Sequence, residues 1–182
     1  MEKIRCLWVD EKSPVYVKYH DEEWGKPVYD DGKLYEMFLL ETFQAGLSWI
    51  TVLKKREAFR EAFDGFSVEK AAAYGDEKLK ELMENKSLIR NRRKMEAAVK
   101  NARIFMDIQR KFGSFSNYLW GFTNGEIIVN KDDRFPVTTE LSDRLSRDLK
   151  KRGMAFVGSV TMYSYLQAVG VVNDHQLSCF CR

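Results

Sequence analysis

The chain is expected to be all-α, and three observations carry that reading. Apolar residues recur at helical spacing through most of its 182 residues. Ser, Asp, Asn or Gly stands where those segments begin and end, as helix caps require. Residues 123–138 form the only non-helical run of any size, and within it 127–129 could be a strand. No repeat, linker or low-complexity stretch divides the chain. Residues 1–182 are therefore expected to form a single globular domain, at most with a second small lobe, and long enough to bury a proper core.

Taken in order, residues 1–12 have no period and read as a short arm. Ser13-Pro14 opens a helix carrying Val15, Tyr16, Tyr19 and His20, which ends in the polar string DEEWG. After a loop over 27–32 comes a helix over 34–45 that is apolar or aromatic on almost every side. Such a helix belongs inside a protein. It holds one awkward residue, Glu41. An ionised carboxylate there is costly unless a protein neighbour or a ligand pairs with it. The residues alone leave both open, a core-facing arginine being the simplest protein partner.

Gly46 ends that helix and Ser48 caps the next, which runs to about residue 63 and is closed by Asp64-Gly65. Ser67 caps a short helix over 68–74. Asp76 opens a helix with Leu79, Leu82 and Met83 inward. The pattern breaks at 85–91 and resumes in a long helix through Met95, Val99, Ala102, Phe105 and Ile108 to Gly113, so NKSLIRNRRK reads as a tight hairpin between two helices. Ser114 starts the aromatic helix FSNYLWGF, Ser142 caps one ending at Gly153, and 157–169 is a last apolar helix before the polar tail NDHQLSCFCR.

Composition narrows the classes. The chain is 45% hydrophobic and 31% charged, with a high aromatic share of 13%. No apolar run approaches the ~18 residues of a membrane span. The N-terminal MEKIRCLWVDEKSP has no apolar segment of the signal-peptide kind. A cytoplasmic protein without membrane contact is expected, with its three cysteines unpaired. A net charge of +3 is too small to prove a polyanionic partner by itself.

The two histidines each have a cysteine nearby in sequence: Cys6 and His20 at one end, His175 and Cys179 at the other. A helical turn would put His175 and Cys179 on one face, and two Cys with two His can close a tetrahedral zinc site with no open position. Cys6-x13-His20 is not a standard spacing, and Cys181 competes as fourth ligand. A core cysteine with surface histidines and a frayed tail is the alternative. A second cluster is basic: Lys86, Arg90, Arg92, Arg93 and Lys94 surround the hairpin, where backbone N–H groups and a helix start favour phosphate. Lys54-Lys55-Arg56 and Lys150-Lys151-Arg152 are further basic runs. Such runs are ordinarily solvated faces, but beside so many aromatic rings they also suit nucleic acid.

The strings CLWV, YHDEEWG, ETFQAGLSWITVLKKRE, NRRKMEAAVKNAR, LKKRGMAFVG and GVVNDH closely resemble, in order from Cys6 to Cys179, those of the constitutive bacterial 3-methyladenine DNA glycosylases. The resemblance implies a helix-hairpin-helix glycosylase fold acting on double-stranded DNA, with hydrolytic release of free 3-methyladenine to leave an abasic site. It implies a structural zinc on Cys6, His20, His175 and Cys179, and DNA-backbone contacts from the hairpin over 86–94. Glu41 matches the base-recognising carboxylate, placed also as the catalytic candidate, and Trp49 the stacking tryptophan. Trp8, Tyr16, Tyr19 and Trp24 match aromatic positions of the pocket. Leu47 is a candidate wedge into the gap left by a flipped base, packing being its plainer role. No lysine nucleophile is evident, so the expected reaction is monofunctional, and the expected state is a monomer. Thr42-Phe43 beside Glu41 depart from the family's strings without touching a matched residue.

The chemistry suits these residues. A base in a duplex has to be flipped out, at a cost of a few kcal/mol, before it can be attacked. Methylation at N3 gives the ring a positive charge and weakens its bond to the sugar, so recognition matters more than acid catalysis. An indole such as Trp49 favours a cationic ring by roughly 0.5–2 kcal/mol, and Glu41 can accept hydrogen bonds from the amino edge. Whether Glu41 also activates water is open. Asp107 is given no role.

Overall fold

The computed structural model describes residues 3–182; the first two residues of the expected arm lie outside the described residues. The helices follow from short-range signals in the chain. α1 (Pro14–Glu22) begins at a proline, with the Ser13 carbonyl rather than its hydroxyl receiving the first N–H groups. α2 is Asp31–Gln44, three residues longer at its start than its apolar pattern suggested. Asp30 caps it by accepting from the Lys33 N–H at 2.8 Å. Asp31 then accepts from the Phe115 and Ser116 N–H groups, both at 2.8 Å, which ties the start of α2 to a distant helix.

α3 (Trp49–Ala62), α4 (Val68–Ala73) and α5 (Asp76–Glu84) follow. A turn over residues 85–91 leads into α6 (Arg92–Phe112), capped by Asn91 and stopped by Gly113 in the left-handed conformation. α7 (Phe115–Trp120) is capped by Ser114. α8 is Glu140–Lys151, and its cap is Thr139, not Ser142. Ser142 instead returns the bond to the Thr139 N–H at 2.9 Å, making a reciprocal pair at the helix start. α9 is Ser159–Ala168.

α2 forms the centre, packing against α3, α6, α7 and α9. Phe38 meets Tyr165 edge to face at 5.5 Å, and Tyr165 donates its hydroxyl proton to the Leu34 carbonyl at 3.1 Å. Phe105 of α6 stacks on Phe115 at 3.9 Å. Truncating such a fully buried ring costs about 3–5 kcal/mol. No helix among the described residues is long and apolar enough to cross a membrane.

The tail differs most from its expected form. It holds no helix. β1 (Ile128–Val129) pairs in parallel with β2 (Val172–Asn173), so the tail is carried as a strand beside the 123–138 segment. Just before β2, Gly170 passes close to the turn after α1: its φ is +69, and a Cβ there would fall 2.1 Å from the Lys26 carbonyl carbon.

Candidate functional site: an aromatic cleft backed by a cysteine–histidine cluster

Glu41 lies on α2 at 3% exposure. Its Oε2 has no hydrogen-bond partner among the described residues, and burial alone pushes the carboxyl up to about 8. The inward-turned arginine of α3, Arg56, is engaged elsewhere. It bonds Glu36 at 2.6 Å and Glu23 at 2.8 Å, leaving the basic run 54–56 without its third cation at the surface. The inward turn follows from helix spacing, since Arg56 and Arg60 are four apart on α3 and both face Glu36.

Glu41 opens onto a cavity of about 320 Å³ whose wall also includes Trp8, Tyr16, Tyr19, Trp24 and Trp49. Three elements bring these residues together: the arm before α1, α1 with the turn after it, and the start of α3. The rings hold one another edge to face or tilted. Trp8 lies 5.3 Å from Tyr16 and 4.9 Å from Trp24, while Tyr19 lies 5.3 Å from Trp49. The indole N–H groups of Trp8 and Trp49 are buried without protein acceptors. Buried polar groups are normally paired, so three unpaired ones around one cavity set it apart from the rest of the interior.

The sequence reading missed the opposite wall. Val160, Tyr163, Ser164 and Gln167, spaced as one face of α9, line it, with Gln44 and the 135–137 segment at the rim. The signal was present: Ser164 and Gln167 interrupt an apolar helix much as Glu41 interrupts α2.

Behind the aromatic wall, Cys6, His20, His175 and Cys179 meet, all buried, with one potential ligand atom from each lying within 4.8 Å of the others. Cys6 Sγ and Cys179 Sγ lie 3.5 and 3.4 Å from His175 Nδ1, and Cys179 Sγ lies 3.4 Å from His20 Nε2. The outer nitrogens are engaged. His175 Nε2 donates to the Trp24 carbonyl at 3.0 Å, and His20 Nδ1 faces Asp21 at 2.8 Å. Such outer partners fix a metal-binding imidazole's tautomer and orientation. Burial pushes the His175 imidazole down to about 4 and the Cys6 thiol up to about 12, so the histidine is neutral and a thiolate there requires a cation. Gly25 leaves room for the cluster, since a Cβ on it would meet His175 Nε2 at 2.9 Å. His175 and Cys179 do converge, though through a turn closed by the Cys179 N–H on the Gln176 carbonyl and not through a helix. Cys181 sits to one side, near His20 and Asp21. Trp8 packs 5.4 Å from His20 and Trp24 packs 4.7 Å from His175, so the cluster directly supports the cavity wall.

At the turn between α5 and α6, Lys86, Arg90, Arg92 and Arg93 are exposed. Lys94 is not. Its ammonium donates to the Phe43 and Ala45 carbonyls at 2.8 and 2.6 Å, closing the C-terminal end of α2. It thereby holds the loop that presents Leu47, 38% exposed, beside Gly46.

A helical fold with a solvent-open cleft, lined by aromatic rings and a partnerless acid, defines the class: a protein shaped around a flat polar ligand. Comparison with known proteins gives the family. The methyladenine glycosylase model matches residues 8–182. A DNA-3-methyladenine glycosylase of Haemophilus influenzae is 48% identical over 181 residues, covering 98% of this chain and 97% of that one. The crystal structure of a 3-methyladenine DNA glycosylase I superposes with a TM-score of 0.94 at 44% identity, covering 98% and 100% of the two chains. The solved structure of the Staphylococcus aureus 3-methyladenine DNA glycosylase I, described for its recognition of 3-methyladenine, has a TM-score of 0.92 at 38% identity, covering 97% of this chain and 95% of that one. The chain belongs to the methyladenine glycosylase family and is a glycosylase.

Proposed function

We propose that this protein excises 3-methyladenine from alkylated DNA by hydrolysing the N-glycosidic bond, leaving an abasic site. The observation that carries the proposal is the partnerless Glu41 carboxyl in a cavity walled by indole and phenol rings. Glu41 lacks a protein partner because its partner arrives with the substrate. A base made cationic at N3 supplies positive charge and amino hydrogens to the carboxylate, and Trp49 supplies a π face. Trp8, Tyr16, Tyr19 and Trp24 complete the enclosure. Because the bond to the sugar is already weakened, holding the extruded cationic base away from its stack is the main task of the pocket. Glu41 is also the catalytic candidate. The protein acts as a single cytoplasmic domain and monomer, without lyase chemistry.

The turn between α5 and α6 serves as the hairpin of a helix-hairpin-helix motif that holds the DNA backbone, with Lys86, Arg90, Arg92 and Arg93 facing phosphate. Lys94 shapes the neighbouring loop from within, and Leu47 on that loop fills the gap left by the flipped base. Zinc fits the cysteine–histidine cluster. With bonds of ~2.3 Å to sulfur and ~2.0–2.1 Å to nitrogen, a tetrahedral zinc has S···N edges of about 3.5 Å, matching the S···N separations of 3.4–3.5 Å here. Four protein ligands leave no position for water, so the metal's role is to hold the two ends of the chain behind the cavity.

Incubating the protein with methylated duplex DNA and identifying the released bases tests the activity. Free 3-methyladenine is the expected product, and its absence defeats the proposal. Metal analysis and thermal melting of Cys6→Ser test the clamp. Loss of zinc and a lower melting temperature are expected; a zinc-replete variant of unchanged stability overturns the assignment.

A further inference from the structure

The α9 wall carries a feature that the recognition chemistry above does not use. Asp174, 1% exposed, directly follows β2. Its Oδ2 accepts two hydrogen bonds, one from the Tyr163 hydroxyl at 2.5 Å and one from Gln167 Nε2 at 2.6 Å. Both donors belong to residues that line the Glu41 cavity. An oxygen already receiving a phenol proton offers nothing to an amide oxygen, so it fixes which way the Gln167 amide points. The NH₂ must face Asp174, which leaves Oε1, unbonded to any described residue, as the end available to the cavity.

We infer that Gln167, locked by Asp174, is a specificity-determining residue: a fixed acceptor that receives the exocyclic amino group of an adenine and rejects the carbonyl that guanine carries at the same ring position. This rests on the glycosylase reading above. A free glutamine can rotate its amide by half a turn and serve an amino group or a carbonyl equally well. A glutamine whose NH₂ is held by a buried carboxylate oxygen cannot. Glu41, the carboxylate that meets the charge of the base, accepts at the same edge, but no protein hydrogen bond holds its Oε2 in place, whereas the Gln167 amide is held by Asp174. The amino group has two hydrogens, so Gln167 and Glu41 can each receive one. Asp174 is a positioning residue, acting on the base only through the amide it holds. Its backbone is fixed in turn by β2 and by the metal-cluster histidine that follows it.

The experiment is base release from methylated DNA, with 3-methyladenine and 3-methylguanine quantified from the same digest. Failure of the unmodified protein to release 3-methyladenine defeats the glycosylase reading and leaves no ratio to compare. Given that release, Gln167→Met and Asp174→Ala should each lower the ratio of kcat/KM for adenine over guanine by about tenfold, the cost of an unmatched buried polar group. Asp174→Asn should keep the ratio within about twofold, since its amide oxygen can occupy the Oδ2 position and receive both donors. A ratio unchanged by Gln167→Met and Asp174→Ala overturns the inference, as does equal loss on both bases. An Asp174→Asn variant behaving like Asp174→Ala also overturns it. Gln167 is half-buried on α9, so Gln167→Met remains decisive if Asp174→Ala does not fold.

Discussion

Glu36 and Glu41 stand five residues apart on α2 and are similarly buried, at 5% and 3% exposure. Their surroundings make them opposites. Burial pushes the Glu36 carboxyl up, but Arg56, Lys33 and Arg60 together more than reverse this and hold it below the ordinary carboxylate range. Arg56 bridges onward to Glu23, which burial also raises and which Arg56 and Lys33 bring down to about 2. Glu41 feels the same desolvation with nothing to oppose it and rises to about 8. One acid is satisfied within the fold and ties α1, α2 and α3 together. The other is left unsatisfied at the cleft, a cost to stability that a cationic ligand would relieve. Burial of a charge does not by itself mark function; burial without a partner, beside a cavity, does.

The contrast is broken most sharply by neutralising each acid in turn. Glu41→Gln should lower base release on the order of 100-fold by removing a charge-assisted contact, with zinc content and fold intact; near-normal activity would remove Glu41 from recognition. Glu36→Gln should instead cost about 3 kcal/mol of stability, because it leaves Arg56 and Arg60 short of a buried partner. Below its lowered melting temperature it should retain its turnover, and a stability equal to wild type in urea denaturation would show that the network contributes nothing.

The two acids should also respond oppositely to pH. Glu41 is raised, so the folded state retains a proton that the unfolded chain has released, and its penalty grows as pH rises from ~4.3 to about 8. Glu41→Gln should therefore gain stability over wild type above pH 8, by as much as a few kcal/mol, and nothing below pH 4. Glu36 and Glu23 are lowered, so their contribution is complete above the unfolded carboxylate value. It is lost as pH falls, towards about 2 for Glu23. Melting curves from pH 2 to 9 check both signs. A Glu41→Gln curve parallel to that of wild type throughout would mean that Glu41 is not strained. The smallest effect is expected from Arg60→Ala. Its partly exposed guanidinium is one of several cations on Glu36, so its loss should cost less than about 1 kcal/mol.

Local signals were legible wherever the chain speaks to its own next turn. The caps at Ser67 and Ser114, and the stops at Gly46 and Gly113, depend on neighbours three or four residues away. Thr139 was overlooked because Ser142, its reciprocal partner, is an equally good capping residue by type. The start of α2 was set too late because the reading followed apolar residues, whereas Asp30 and Asp31 begin the helix through polar contacts. The basic hairpin was visible as a run of charge. That Lys94 in it serves the carbonyls of a helix about fifty residues away in sequence was not.

The sequence alone determined the helical class, the apolar α2 with its lone Glu41, the ring types that wall the cleft, and the pairing of a cysteine with a histidine at each end. Those features reside in residue type and spacing. Only the tertiary structure decided which acid would be paired, since the cations that satisfy Glu36 come from α3 as well as α2 and none of them reaches Glu41. It also decided that the tail would run as a strand beside residues 128–129, bringing His175 to the cysteine–histidine cluster and Asp174 behind the α9 wall of the cleft. The reason is distance along the chain. Propensity and capping act within a few residues, whereas desolvation and ion pairing depend on whatever the fold places alongside.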